Sequence, residues 1–119
     1  MNTTQSGALG EEIAGRYLAE KGYRILTRNF RKPCGEIDLI ALDGKTLVFV
    51  EVKKRASLAF GGPIAAVTAA KQHKIALTAQ QYIKKNAPKF DSIRFDVVCL
   101  LPEQIEHIKN AFIPRRGTF

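Results

Sequence analysis

The stretch Gly35-Glu36-Ile37-Asp38-Leu39-Ile40-Ala41-Leu42, followed by Asp43-Gly44 and then Lys45 through Arg55, decides the reading of the chain. Its core, Leu47-Val48-Phe49-Val50-Glu51-Val52-Lys53, is rich in β-branched and aromatic residues, which suit a strand. Asp-Gly between two such runs predicts a hairpin, because the tight turn needs φ > 0 and these residues tolerate it. Side chains alternate faces along a strand. Leu47, Phe49, Glu51 and Lys53 therefore share one face, and Val48, Val50 and Val52 share the other.

Register decides what the polar residues meet. A two-residue turn at Asp43-Gly44 sets Asp38 opposite Phe49 and diagonal to Glu51, with Cβ atoms roughly 7–8 Å apart. A four-residue turn sets Asp38 directly opposite Glu51. A three-residue loop without a compensating bulge separates them. Either even register gathers two carboxylates and one amine, Lys53, at the end of an otherwise apolar ribbon. Isolated charges are costly to bury, so the carboxylates call for a shared cation. A hard divalent ion fits: Mg²⁺ takes one or two carboxylates plus waters at about 2.0–2.1 Å. Lys53 beside such an ion would orient a water or stabilise charge developing on a phosphate. On geometry alone, a structural salt-bridge cluster of Asp38, Glu51 and Lys53 answers the same pattern.

The rest of the chain builds outward from this ribbon. Ser6 to Lys21 reads as a helix, with Ser6 as N-cap and Gly22 as its stop. Leu9, Ile13 and Tyr17, with Ala14 and Leu18, form its apolar stripe. Glu11 lines up with Ala14 and Leu18 at the stripe's edge, whereas Glu12 lines up with Ala8 and Arg16 nearer solvent. Glu11 is thus a candidate third carboxylate, or an acidic first-turn residue complementing the helix dipole. Tyr23 to Phe30 reads as a strand, and Lys32-Pro33-Cys34-Gly35 as a turn. Ala56 to Pro63 is a loop, either a flap over substrate or a plain connector. A second helix runs from Ile64 or Val67 to Lys85. Lys71 falls at the rim of its apolar face, and Lys74, Lys84 and Lys85 sit further out. Ile93 to Leu101 is a buried strand interrupted by Asp96, which is read as structural. Ile105 to Phe112 fits an edge strand or a short helix. The order α-β-β-β-α-β-β predicts a single-domain α/β sandwich: a mixed central β-sheet flanked by helices. The domain spans residues 1–119, with flexible ends at about 1–5 and 114–119.

Bulk properties narrow the function classes. At 119 residues the chain suits one domain with a real core. No apolar run approaches the ~20 residues that span a bilayer, so no membrane is expected. The N-terminus lacks the basic and apolar regions of a secretory signal, which makes the cytoplasm the expected compartment. Cys34 and Cys99, with no paired histidine cluster, make neither a zinc site nor a cytosolic disulfide. The net charge of +8 favours polyanions through phosphate contacts. With no Trp, the chain is not a stacking platform for single strands.

Asp38 with Glu51-Val52-Lys53 resembles the Asp…Glu-x-Lys signature of the PD-(D/E)xK nuclease superfamily. More closely, the chain resembles the bacterial UPF0102 (YraN-like) family, itself related to archaeal Holliday junction resolvases. The matching stretches are Gly7-x-x-Gly10-Glu11-x-x-Ala14, Arg28-Asn29-Phe30-Arg31, Gly35 to Ile40, Phe49 to Lys53 and Arg94 to Val98. The resemblance implies a restriction-endonuclease-like fold and a metal-dependent endonuclease chemistry with Mg²⁺ or Mn²⁺. It makes Glu11 a member of the metal site with Asp38 and Glu51, and adds the backbone carbonyl of Val52 as a ligand. Asp38, Glu51 and Lys53 become the catalytic group. Arg28, Arg31, Lys54 and Arg55 would track the phosphodiester backbone. Lys71 would be a phosphate contact or a solvated helix charge. The implied partner is nucleic acid, structured or branched DNA first, with a homodimer by analogy. Two other classes stay open: a non-catalytic nucleic-acid-binding module, and an interaction protein with a basic docking face.

Overall fold

A computed structural model describes residues 3–57 and 67–113, with side chains described from residue 9. Seven elements follow one another: α1 (Thr3–Glu20), β1 (Arg24–Lys32), β2 (Gly35–Asp43), β3 (Thr46–Lys54), α2 (Ala69–Asn86), β4 (Ser92–Leu100) and β5 (Ile105–Ile108). The strands form one mixed sheet in the order β1-β2-β3-β4-β5. β3 and β4 are parallel, and every other neighbouring pair is antiparallel. A parallel pair needs a long crossover, which is the role of the segment containing α2. The expected α/β sandwich with a mixed central sheet is therefore present. Of the 105–112 segment, Ile105–Ile108 forms the short edge strand β5, and the remainder is turn and irregular chain.

Alternation along the strands sorts the core into two layers. Ile40, Leu47, Phe49, Phe95 and Val97 face α2 and pack on Ile75, Ala76, Ala79 and Tyr82. Leu39, Ala41, Val48, Val50 and Val98 face α1 and pack on Ala14 and Leu18. In β1 the adjacent Ile25 and Leu26 serve opposite layers by the same alternation, next to a register shift between Ile25 and Thr27. The stripe on α1 is narrower than its sequence implies. Ala14 and Leu18 are fully buried, but Leu9 and Ile13 remain largely exposed.

Three boundaries differ from the sequence expectation. β1 spans Arg24–Lys32 rather than Tyr23 to Phe30, and β2 takes up Gly35, so Lys32 and Gly35 pair with each other and the turn shrinks to Pro33-Cys34. α1 starts at Thr3, so Ser6 lies inside the helix rather than capping it. The α1 stop is as expected: Gly22 has φ +96, and the Tyr23 N–H bonds back to the Leu18 carbonyl. The β2–β3 turn is Gly44-Lys45 rather than Asp43-Gly44, with Gly44 at φ +60 and Asp43 paired to Thr46. Arg94 explains the shift. Its Nη1 donates to Asp43 Oδ2 at 3.0 Å, which draws Asp43 into the strand. The register is nevertheless even, with Leu42 opposite Leu47 and Leu39 opposite Val50. The 58–63 part of the predicted flap, the 64–66 start proposed for α2, and the tail 114–119 lie outside the described residues.

Asp96 holds the α1 side of the sheet together. It is fully buried and accepts from Arg94 Nε at 2.8 Å, Arg94 Nη2 at 3.0 Å and the Asn110 N–H at 3.0 Å. His107 Nε2 adds a bond at 2.8 Å and so carries the proton, leaving Nδ1 without a partner among the described residues. Arg94 also reaches the Tyr23 hydroxyl at 2.6 Å. Burial alone would raise the Asp96 pKa. The bonds from His107, Arg94 and Asn110 outweigh it and hold the carboxyl below its ordinary range. Asp96 thus ties β4 to β5 and the turn after it, and through Arg94 the network reaches Asp43 of β2 and Tyr23. Asp96→Ala would leave the enclosed His107 ring and the Asn110 N–H without their partner and reduce Arg94 to Asp43 and Tyr23, and we predict a loss of about 3–5 kcal/mol of stability in urea unfolding. A loss below about 1 kcal/mol would show that the network is incidental.

Candidate metal and phosphate site

The site forms where β2 and β3 part. Leu39 and Val50 are the last paired residues, and Asp38 and Glu51 come next in that register. Asp38 does not continue the ladder. Its Oδ2 accepts the Val52 N–H at 2.7 Å. This bond satisfies a backbone donor that the parting strands would orphan, and it pins the carboxylate between the strands. Glu51 and Lys53 continue the face carrying Leu47 and Phe49, so they point toward α2.

α2 closes the cleft from that side. Thr68 caps the helix, its side chain accepting from the Lys71 N–H at 3.2 Å. Lys71 is thereby fixed in the first turn, with Nζ 3.7 Å from Glu51 Oε1. Lys53 Nζ lies 3.1 Å from the same oxygen. Gly35 allows the approach of β2 to α2, since a Cβ there would stand 3.0 Å from Thr78 Oγ1. The resulting cleft of about 400 Å³ is lined by Gly35, Glu36, Asp38, Glu51, Val52, Lys53, Lys71, Lys74 and Ile75.

Its electrostatics are those of a charge-crowded pocket. Burial, reinforced by the Glu51 carboxylate, pushes Asp38 up to about 7 against the opposing pull of the Val52 N–H. Lys53 and Lys71 crowd the same Glu51 oxygen. Burial works against the Lys53 ammonium, but its contact with Lys71 and the charge of Glu51 prevail and raise its pKa. Lys71 is lowered, first by that contact with Lys53 and then by burial. Lys53 is thus the firmer holder of charge on Glu51.

The predicted site residues divide into three groups. Asp38, Glu51, Val52, Lys53 and Lys71 come together in the cleft. Glu11 stands apart from its lining. It is half-buried, its field helps to raise Asp38, and its own pKa is raised by burial and Glu36 while Arg31 and Arg28 lower it. Among the described residues no three His, Cys, Asp or Glu side chains converge closely enough to grip one ion; within the cleft Asp38 and Glu51 feel each other's charge and are its candidate pair. Two carboxylates, a backbone carbonyl and waters match what Mg²⁺ accepts. The other basic residues lie elsewhere. Arg28 rests on α1, where a Cβ on Gly15 would meet its Nη2 at 3.2 Å. Arg31 pairs with Glu36 at 3.0 Å and Asn29 at 3.1 Å. Lys54 and Arg55 border a larger cavity of about 540 Å³, with Leu9, Ile13, Leu100 and Ile105 among its walls. That cavity is apolar and holds no carboxylate, so the smaller cleft is where ion chemistry has its ligands. Sequence reasoning placed Lys74 too far out. Its spacing of three from Lys71 on one helix was the available signal.

The model of the uncharacterised protein family UPF0102 matches residues 10–100. A UPF0102 protein of Rhodococcus opacus is 47% identical over 111 residues, covering 89% of this chain and 94% of the relative. One from Chlorobaculum tepidum is 47% identical, covering 95% and 96%. One from Trichlorobacter lovleyi is 49% identical, covering 89% and 88%. The matched span contains Glu11, Asp38, Glu51, Lys53 and Lys71, the whole of the cleft with its outlying carboxylate.

Asp38 gives a pH signature for the metal-free protein. The fold keeps its proton up to about pH 7, whereas the unfolded chain releases it near the ordinary value of 3.8. The native state holds more protons between these limits, so this contribution to stability is full below about pH 4 and is lost as pH rises to about 7. Asp38→Asn keeps the acceptor for Val52 but removes the titration. With EDTA present, we predict that the variant gains on wild type by about 2–4 kcal/mol between pH 4 and pH 7.5 in urea unfolding. A pH-independent difference would contradict the raised Asp38.

Proposed function

The chain belongs to the UPF0102 family, and we propose that it is a divalent-metal-dependent nuclease-like protein that hydrolyses phosphodiester bonds in nucleic acid, structured or branched DNA foremost. One observation carries the reading. Asp38 and Glu51 line one open cleft where Asp38 has no ion-pair partner among the described residues, while an amine, Lys53, is fixed beside Glu51. A half-buried carboxylate whose partner among the described residues is one backbone N–H is incomplete unless a cation arrives.

In this reading Asp38, Glu51 and the Val52 carbonyl hold Mg²⁺ or Mn²⁺, and Glu11 acts on it through its field or through water. The ion supplies Lewis-acid stabilisation of the phosphoryl oxygens. Lys53 orients the attacking water or meets charge developing on the phosphate. Its stem is packed at the end of β3, so its amine needs little reorganisation. Lys71 and Lys74 stand at the mouth, where they would receive the phosphodiester backbone. Arg28, Arg31, Lys54 and Arg55 would extend that track over a wider surface. Few side chains there suit base edges, so recognition is by shape and backbone. No described helix is long and apolar enough to cross a membrane, and the cytoplasm is the proposed compartment.

The ion pairs of Lys53 and Lys71 with Glu51 favour a second reading, a non-catalytic nucleic-acid-binding module whose acidic group is satisfied by lysines. Cleavage of labelled branched, nicked and linear DNA with Mg²⁺ or Mn²⁺ separates the two. The nuclease reading predicts cutting by wild type and a loss of at least about 100-fold in Asp38→Ala and Lys53→Ala. Retarded but uncut DNA across the panel would favour the binding module. A metal-binding wild type should also gain about 2.7 kcal/mol of stability at an ion concentration 100 times its Kd. No gain at millimolar Mn²⁺ would remove the metal from the account.

A further inference from the structure

Two ammonium groups meet one oxygen of Glu51, and they are not equivalent. Lys53 is enclosed, with 13% of its side chain exposed and Nζ at 3.1 Å. Lys71 is open, with 44% exposed and Nζ at the looser 3.7 Å. Lys53 projects from β3, where its backbone is paired to Cys99 of β4 and its side chain is enclosed on the α2 face, so it has little room to retreat. Lys71 projects from the exposed first turn of α2, with only its backbone fixed by the Thr68 cap.

A divalent ion on Asp38 and Glu51 would change the balance at that oxygen. It brings two positive charges to a carboxylate already shared by two amines, and like charges at such range repel strongly. One amine must yield, and only Lys71 has a path to solvent. We propose that Lys71 is an exchangeable cation: its ammonium neutralises Glu51 in the metal-free protein and is released to a nucleic-acid phosphate when a divalent ion takes that carboxylate. The inference rests on the metal-dependent reading of the same cleft. It makes Lys71 a positioning residue that couples metal loading to substrate capture. Without metal, the basic mouth is partly cancelled by Glu51. With metal, a free ammonium faces outward beside the ion. By linkage, nucleic acid held by Lys71 must in turn tighten the metal.

The test uses Mn²⁺ alone, followed by electron paramagnetic resonance of the free ion, on the full chain. Lys71→Met removes the competitor and should bind Mn²⁺ about three- to tenfold more tightly than wild type. Lys71→Arg, which keeps the charge, should bind as wild type does, and so should Lys84→Met at the far end of α2. A fluorescent branched DNA then supplies the second arm. With non-cleaving Ca²⁺, Lys71→Met should bind it at least about threefold more weakly, with a salt slope reduced by about one; in EDTA the variants should match. Thermal melts confirm that each variant is folded. If wild type binds Mn²⁺ and Lys71→Met binds it no more tightly, Lys71 is an ordinary ion pair and the exchange is overturned while the metal site survives. If no variant binds Mn²⁺, including Lys71→Met, the metal-dependent reading falls and the exchange with it. Binding by Lys71→Met alone would support the exchange in its strongest form.

Discussion

The 2.7 Å bond from the Val52 N–H to Asp38 is the constraint on which the cleft depends. β2 and β3 run as a tight antiparallel pair up to Leu39 and Val50 and then diverge. Divergence in a sheet normally strands backbone donors, which is expensive wherever water is scarce. A carboxylate one residue beyond the last pair repairs that loss. It also leaves an anion between two strands whose other face is sealed by Leu39, Val48 and Val50. The opening needed to admit a ligand and the charge needed to hold one therefore arise from the same bond.

Two aspartates show how differently the fold treats one residue type. Asp96 is completed by Arg94, His107 and a backbone N–H, and its charge is stabilised. Asp38 receives one N–H and sits against Glu51, and its charge is disfavoured. Both are largely removed from water, so the difference lies in their partners. A finished network spans β2, β4 and β5 and resists change. An unfinished one sits in a cleft where something can still arrive. Natural folds commonly keep such local frustration where function needs it. α2 supplies both sides of the cleft's character: Ile75, Ala76 and Ala79 fasten it to the sheet, and its first turn delivers Lys71.

Much of this was legible in the chain. Val48, Val50 and Val52 against Leu47, Phe49, Glu51 and Lys53 specified a strand buried on both faces, and the faces are those observed. Even spacing of the hairpin was enough to bring Asp38 and Glu51 together, although the turn itself falls one residue later. That shift needed Arg94, 51 residues away in sequence, which no local rule could connect to Asp43. The α1 stripe misled at Leu9 and Ile13 because helical periodicity shows which residues could pack, not where the sheet ends beneath them. Glu11 was correctly placed at the edge of that stripe, but its distance from the cleft depends on how α1 lies across the sheet. Lys71 read as a rim lysine of a surface helix. Only the docking of α2 against β2, with Tyr82 on Phe49 of β3, turns it toward Glu51.

The most direct trial of the central claim is a crystal structure of the full chain grown with Mn²⁺, using the ion's anomalous scattering to locate it. The account predicts one strong peak between Asp38 and Glu51, at about 2.0–2.3 Å from their oxygens, with the Val52 carbonyl turned toward it. No peak in the cleft at millimolar Mn²⁺, with Glu51 still held by both lysines, would contradict it.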